Sequence, residues 1–165
     1  MLKRFIIFTL LCLIPLPALA AMDCVFTSSK ILSYSSVSGG VYETLYTCTF
    51  DGTPGTASDV LTAEEMGRIE GSWLYRFTTK NGSTGPTDDS DLSVIDSSGT
   101  ALINVAGNGA NVIDNAVKNL RYFDPVTSGT DDYNEVNPNY PWTIAVTNNA
   151  VSNSSFVFGV ISCDN

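Results

Sequence analysis

The sequence predicts an all-β chain, an antiparallel β-sandwich with one or two short helices, behind a cleaved leader. Three observations carry that expectation. Short segments of alternating apolar and polar residues, rich in Val, Ile, Thr and aromatics, recur along the chain. Turn residues punctuate them, as in Ser38-Gly39-Gly40, Asp51-Gly52-Thr53-Pro54-Gly55 and Asp96-Ser97-Ser98-Gly99. Helical spacing is confined to two brief stretches.

The first residues have the three parts of a secretory signal peptide. Lys3 and Arg4 make a basic start, residues 5–19 are an apolar run, and Ala18-Leu19-Ala20 supplies small residues for cleavage after Ala20 or Ala21. The rival is a retained anchor. A spanning helix needs about 20 apolar residues, whereas this run is shorter and broken by Pro15 and Pro17. A lipoprotein is disfavoured because Ala21-Met22-Asp23 before Cys24 does not supply the small residues of a lipidation signal. The expected organisation is a signal peptide over residues 1–21 and a single sandwich domain over residues 22–165. The expected location is secreted: periplasmic, cell-surface or extracellular.

In the mature part, residues 24–37 are loosely β, with Val25, Phe26, Ile31, Leu32 and Tyr34 among Ser and Thr. Residues 41–50 alternate cleanly, placing Tyr42, Thr44, Tyr46, Cys48 and Phe50 on one face of a half-buried strand. The two segments read as a hairpin, or as two strands joined by a short loop. Residues 58–68 are the better helix candidate, with Thr62 and Glu65 at capping-box spacing, although Gly67 keeps the helix short. Residues 73–79 form a strand in which Trp73, Tyr75 and Phe77 share a face. The simplest reading makes those rings core; a carbohydrate-binding platform is the sharper alternative. Residues 92–95 and 100–104 are strands about the Asp96–Gly99 turn. Val112, Ile113, Ala116, Val117 and Leu120 recur at near-helical spacing, and Arg121-Tyr122-Phe123 is a short strand. Residues 124–141 form a long acidic loop of the kind that is usually functional or mobile. Residues 141–147 and 155–163 are expected to close the sandwich, immunoglobulin-like or jelly-roll-like, as an antiparallel hairpin.

Charge and cysteines narrow the chemistry. The chain has 17 acids against 8 bases, a formal charge of −9 that becomes −11 once Lys3 and Arg4 leave with the leader. Such a surface repels phosphate backbones and excludes nucleic acid as a partner. With Cys12 in the leader, Cys24, Cys48 and Cys163 remain for an oxidising compartment. One disulfide is expected among three pairings, and closing the longest loop favours one that includes Cys163. No later segment is long and apolar enough to cross a membrane as a helix, so no stable insertion is expected after cleavage.

The chain has no His, which removes Ser-His-Asp and Cys-His catalysis and the common zinc sites. No phosphate-cradling Gly loop is present. Paired carboxylates acting on a sugar would draw on Asp88, Asp89, Asp91 and Asp96, but nothing in the sequence locates a partner acid across a cleft. No enzyme activity and no organic cofactor are expected. Calcium is the more reasonable use of Asp88, Asp89 and Asp91, oxygen donors on one loop without the EF-hand pattern; Asp131, Asp132 and Glu135 repeat the ambiguity. Tyr133, Tyr140 and Trp142, in or beside the long loop, are candidate anchors for a protein partner or self-assembly. The sequons at Asn81 and Asn153 read as turn residues.

One resemblance follows from the order of features over residues 71–162. Pro86-Thr87-Asp88, Asp91-Leu92-Ser93-Val94-Ile95-Asp96, Gly99, Leu102, Gly107, Asn111 and Thr143-Ile144-Ala145-Val146-Thr147-Asn148 carry it. In this pattern the chain resembles small β-sandwich structural proteins of tailed phages. The resemblance implies an assembly or decoration role and transfers no catalytic residue. The leader and the cysteines depart from it, which argues against a virion role. The expected function is therefore an exported, non-catalytic sandwich acting in binding or assembly, with a calcium- or carbohydrate-dependent adhesion module as the alternative.

Overall fold

The computed structural model describes residues 20–35, 39–87, 90–103, 113, 121–123 and 141–163. Among them run β1 (Met22–Ser35), β2 (Gly39–Phe50), β3 (Gly55–Val60), α1 (Ala63–Met66), β4 (Trp73–Asn81) and β5 (Asp91–Asp96). β6 (Ala101–Ile103), β7 (Arg121–Phe123), β8 (Trp142–Asn149) and β9 (Ser155–Cys163) complete the order. One sheet has the order β1-β2-β9-β4-β7 and the other β3-β8-β5-β6. All pairings are antiparallel, so the fold is the expected all-β sandwich.

Strict alternation makes β2 and β9 the spine of the first sheet. Thr44, Tyr46, Cys48 and Phe50 of β2 are buried on the face shared with Phe156, Phe158 and Val160 of β9. Phe77 of β4 stacks on Phe158 at 5.4 Å and meets Trp142 of the second sheet edge-on at 5.9 Å. Leu92, Val94, Ile103, Ile144 and Val146 supply the opposing layer. Gly159 allows β9 and β4 to approach, since a Cβ there would run into the Thr78 hydroxyl.

Four expectations are corrected. The disulfide joins Cys24 to Cys48, directly opposed on β1 and β2, and Cys163 is a free, half-buried thiol. Loop-closure entropy favoured Cys163, but the pleat decides. Cys48 lies on the inward face of β2, whereas Cys163, odd-numbered on β9, falls on the opposite face from Phe156 and Phe158. The aromatic trio of β4 is also split. β4 carries one extra residue between Leu74 and Arg76, and this bulge reverses the alternation. Leu74 and Phe77 therefore both point inward, Trp73 is half-buried and Tyr75 is exposed.

The third correction concerns residues 58–68. The capping box is present, with Thr62 Oγ1 accepting from Glu65 N–H and Glu65 Oε2 accepting from Thr62 N–H. The helix is as short as expected, but it starts only at Ala63, and residues 55–60 form the edge strand β3. Ala57 is the lone buried residue of β3, so its sequence shows no apolar rhythm. The fourth concerns the close of the chain. β8 and β9 belong to different sheets, so residues 150–154 form an arch between layers instead of a hairpin turn. Asn148 near the end of β8 and Asn153 within the arch take positive φ, and buried Asn149 holds the arch by accepting from Val151 N–H and donating to Ser154 Oγ.

Gly99 takes the expected positive φ in the β5–β6 turn. Residues 1–19 of the leader, the near-helical run over residues 112–120 apart from Ile113, and residues 124–140 of the acidic loop lie outside the described residues.

Candidate functional site

Of the acids expected to bind calcium, Asp88 and Asp89 lie outside the described residues and Asp91 opens β5. Its carboxylate accepts from Asn148 Nδ2 at 2.8 Å and from Thr147 Oγ1 at 3.3 Å. Ahead of it, Ser90 Oγ donates to the Thr87 carbonyl at 2.8 Å, and Thr87 Oγ1 accepts from Ala150 N–H. Asp96 accepts from Ser98 N–H and Thr100 N–H and so serves its own turn. Among the described residues, no three of His, Cys, Asp and Glu gather closely enough to hold a metal ion.

Tyr133 and Tyr140 lie outside the described residues, whereas Trp142 is core. It is 3% exposed and packs on Phe77, so it is not a surface anchor. The sequence placed it beside a polar loop; tertiary packing makes it the first inward residue of β8.

A shallow cleft lies between β1 and α1, lined by Val25, Phe26, Thr62, Glu64, Glu65 and Arg68. The Arg68 guanidinium sits 4.6 Å above the Phe26 ring, which it shields from solvent. Below it the Tyr46 hydroxyl donates to the Glu65 carbonyl at 3.0 Å. Burial pushes the Tyr46 phenol well above the usual tyrosine range, the Glu65 carboxylate adds to the rise, and Arg68 opposes it. A cation is thus seated on the ring of this cleft and its capping groups bond one another, while Val25 at its rim stays exposed.

The more open feature is β1 itself. It is the edge of its sheet, and among the described residues it pairs with β2 alone. Near Cys24 this edge is covered, because Cys24 N–H donates to Asp59 Oδ2 of β3 at 2.7 Å. Farther along, all six residues 27–32 are exposed, which means that neither face of the strand is packed there. Val25, Ile31 and Leu32 are 50%, 59% and 46% exposed. They make up half of the large hydrophobics left at the described surface, the others being Val60, Tyr75 and Ile95.

The ladder shows where the backbone of this edge points. Phe50 N–H donates across to Ser154, so even-numbered residues of β2 face β9 and odd-numbered ones face β1. Ser28 and Lys30 sit opposite Leu45 and Glu43 and bond to β2. Ser29 and Ile31, opposite Thr44 and Tyr42, direct their N–H and C=O groups away from the sheet. Bulges between Phe26 and Ser28 and between Ile31 and Ser33 bracket this run. Sequence reasoning saw these residues only as a loose strand. The available signal was charge: from residue 27 to residue 42 an acidic chain carries no acid, and its one cation is Lys30.

No protein-family model matches the chain, and no curated sequence does. Among solved structures the chain is similar to a capsid structure of Helicobacter pylori bacteriophage KHP30, with 16% identity over 86% of this chain and 92% of that chain and a TM-score of 0.37. It is also similar to a family 11 carbohydrate-binding module from Clostridium thermocellum in complex with a β-1,3-1,4-mixed-linked tetrasaccharide, at 14% identity, 88% and 87% coverage and a TM-score of 0.33. A third is the N-terminal cellulose-binding domain of Cellulomonas fimi β-1,4-glucanase C, at 11% identity, 88% coverage of each chain and a TM-score of 0.30. The capsid likeness is consistent with the weak resemblance to phage structural proteins. At these scores none of the three carries an argument about function.

Proposed function

We propose that the mature chain is an exported, non-catalytic β-sandwich that works by binding or assembling with another macromolecule. The observation that carries this reading is the edge strand β1, on which Val25, Ile31 and Leu32 stay exposed beside outward-directed backbone groups. Export is supported by the leader pattern at residues 3–20 and by the Cys24–Cys48 bond, which suits an oxidising compartment. The lack of any His supports a role without nucleophile–base catalysis. Light scattering on protein purified from its host tests the reading. The expected species is heavier than one chain, as an oligomer or with a co-purified partner, and a bare monomer overturns it.

A second reading is favoured by one observation. The β4 bulge turns the Tyr75 ring outward, with the Arg76 guanidinium 5.5 Å from its centroid, and an exposed ring of this kind suits stacking on a sugar. In this reading the chain is an adhesion module that takes a glycan, with calcium at Asp88, Asp89 and Asp91 as its ion. Glycan-array binding lost in Tyr75→Ala, or a melting temperature raised by calcium, supports it. A blank array and an unmoved melting temperature end it.

A further inference from the structure

We propose that β1 is a homodimer interface, in which the open edge at residues 28–31 takes the same strand of a second copy, antiparallel across a two-fold axis. The inference rests on the binding-or-assembly reading and names its surface and its partner.

The backbone is the first argument. Ser29 and Ile31 present N–H and C=O groups in the plane of the sheet, and an antiparallel copy presents the same groups at the same spacing. An antiparallel edge is thus its own complement, and joining two such edges extends the two sheets into one. The side chains are the second argument. Ile31 and Leu32 lie at this edge, and pairing removes them from water.

Charge selects the partner. The chain carries 17 acids against 8 bases, so most approaches between copies oppose like charges. Residues 27–42 have no acid, and the charge of Lys30 is met within its own chain by Glu43 at 2.6 Å. This edge is therefore locally neutral. A cationic partner is drawn to the acidic surface elsewhere, whereas a second copy meets least repulsion here. The bulges on either side confine pairing to a short run. A two-fold contact of β1 with β1 also closes on itself, so it yields a dimer and no fibre.

Sedimentation equilibrium of the mature protein across a range of concentrations, at low and high salt, tests the proposal. The expected result is a monomer–dimer equilibrium that tightens with added salt, because screening relieves repulsion between two acidic bodies. A complex with a cationic partner weakens instead. Ile31→Pro removes an outward N–H while sparing the β1–β2 ladder, and Ile31→Lys adds a charge at an exposed position. Each is expected to weaken dimerisation at least tenfold, with thermal unfolding confirming that the lysine variant is folded. A dimer whose dissociation constant is unchanged in the folded Ile31→Lys variant overturns this interface and leaves the assembly reading standing. A monomer that co-purifies with a different protein does the same. A monomer with no partner overturns both.

Discussion

Tyr46 shows how much one residue holds together. Its ring is buried against Phe158 and lies edge-on to Phe26, and its hydroxyl ties β2 to α1 through the Glu65 carbonyl. Tyr46→Phe is expected to cost about 1 kcal/mol at pH 7, the net worth of one such hydrogen bond. The pH dependence follows from the raised phenol pKa. The folded state favours the neutral form, so the stability this contributes is complete below about pH 10, where free tyrosine begins to ionise, and is lost as pH rises beyond. The gap between wild type and Tyr46→Phe should therefore narrow above pH 10 in urea unfolding; a widening gap contradicts this account. That Tyr46 faces inward was legible from the alternation of β2. Its bond to Glu65 was not, because 19 residues separate the partners.

At the scale of the element, caps and bulges carry the predictions. Thr62→Ala removes the capping box of α1 and is expected to cost about 1 kcal/mol in thermal or urea unfolding. The Thr62–Glu65 spacing announced this cap in the sequence, since a capping box is a contact between near neighbours. The β4 bulge had no such signal. Trp73, Tyr75 and Phe77 look like one face, but a single added residue moves Leu74 inward in place of Trp73 and Tyr75. Deleting Tyr75 leaves Leu74 and Phe77 two positions apart, the spacing an unbulged strand needs to keep both inward. The deletion is thus expected to preserve the fold and move the melting temperature by only a few degrees, whereas collapse of the fold would show that the bulge sets the register.

For the whole molecule, the Cys24–Cys48 bond links the edge strand to the interior of its sheet across a separation of 24 residues. Replacing both cysteines by serine is expected to cost about 2–4 kcal/mol in chemical unfolding. Cys163→Ser, at a half-buried free thiol, should change stability by less than about 1 kcal/mol. Equal losses would contradict this assignment. The sequence by itself determined the β class, most strands, the hairpin of β1 and β2, the Asp96–Gly99 turn and the capping box. Each depends on side-chain period or on residues within one turn of the chain, which local physics dictates. Tertiary structure alone decided that β8 and β9 join different sheets, that Trp142 is core and that Cys24 meets Cys48. It also decided that β1 ends its sheet with an edge left open among the described residues. These outcomes depend on which distant strands lie side by side, and on face parity carried through bulges, and no local pattern encodes either.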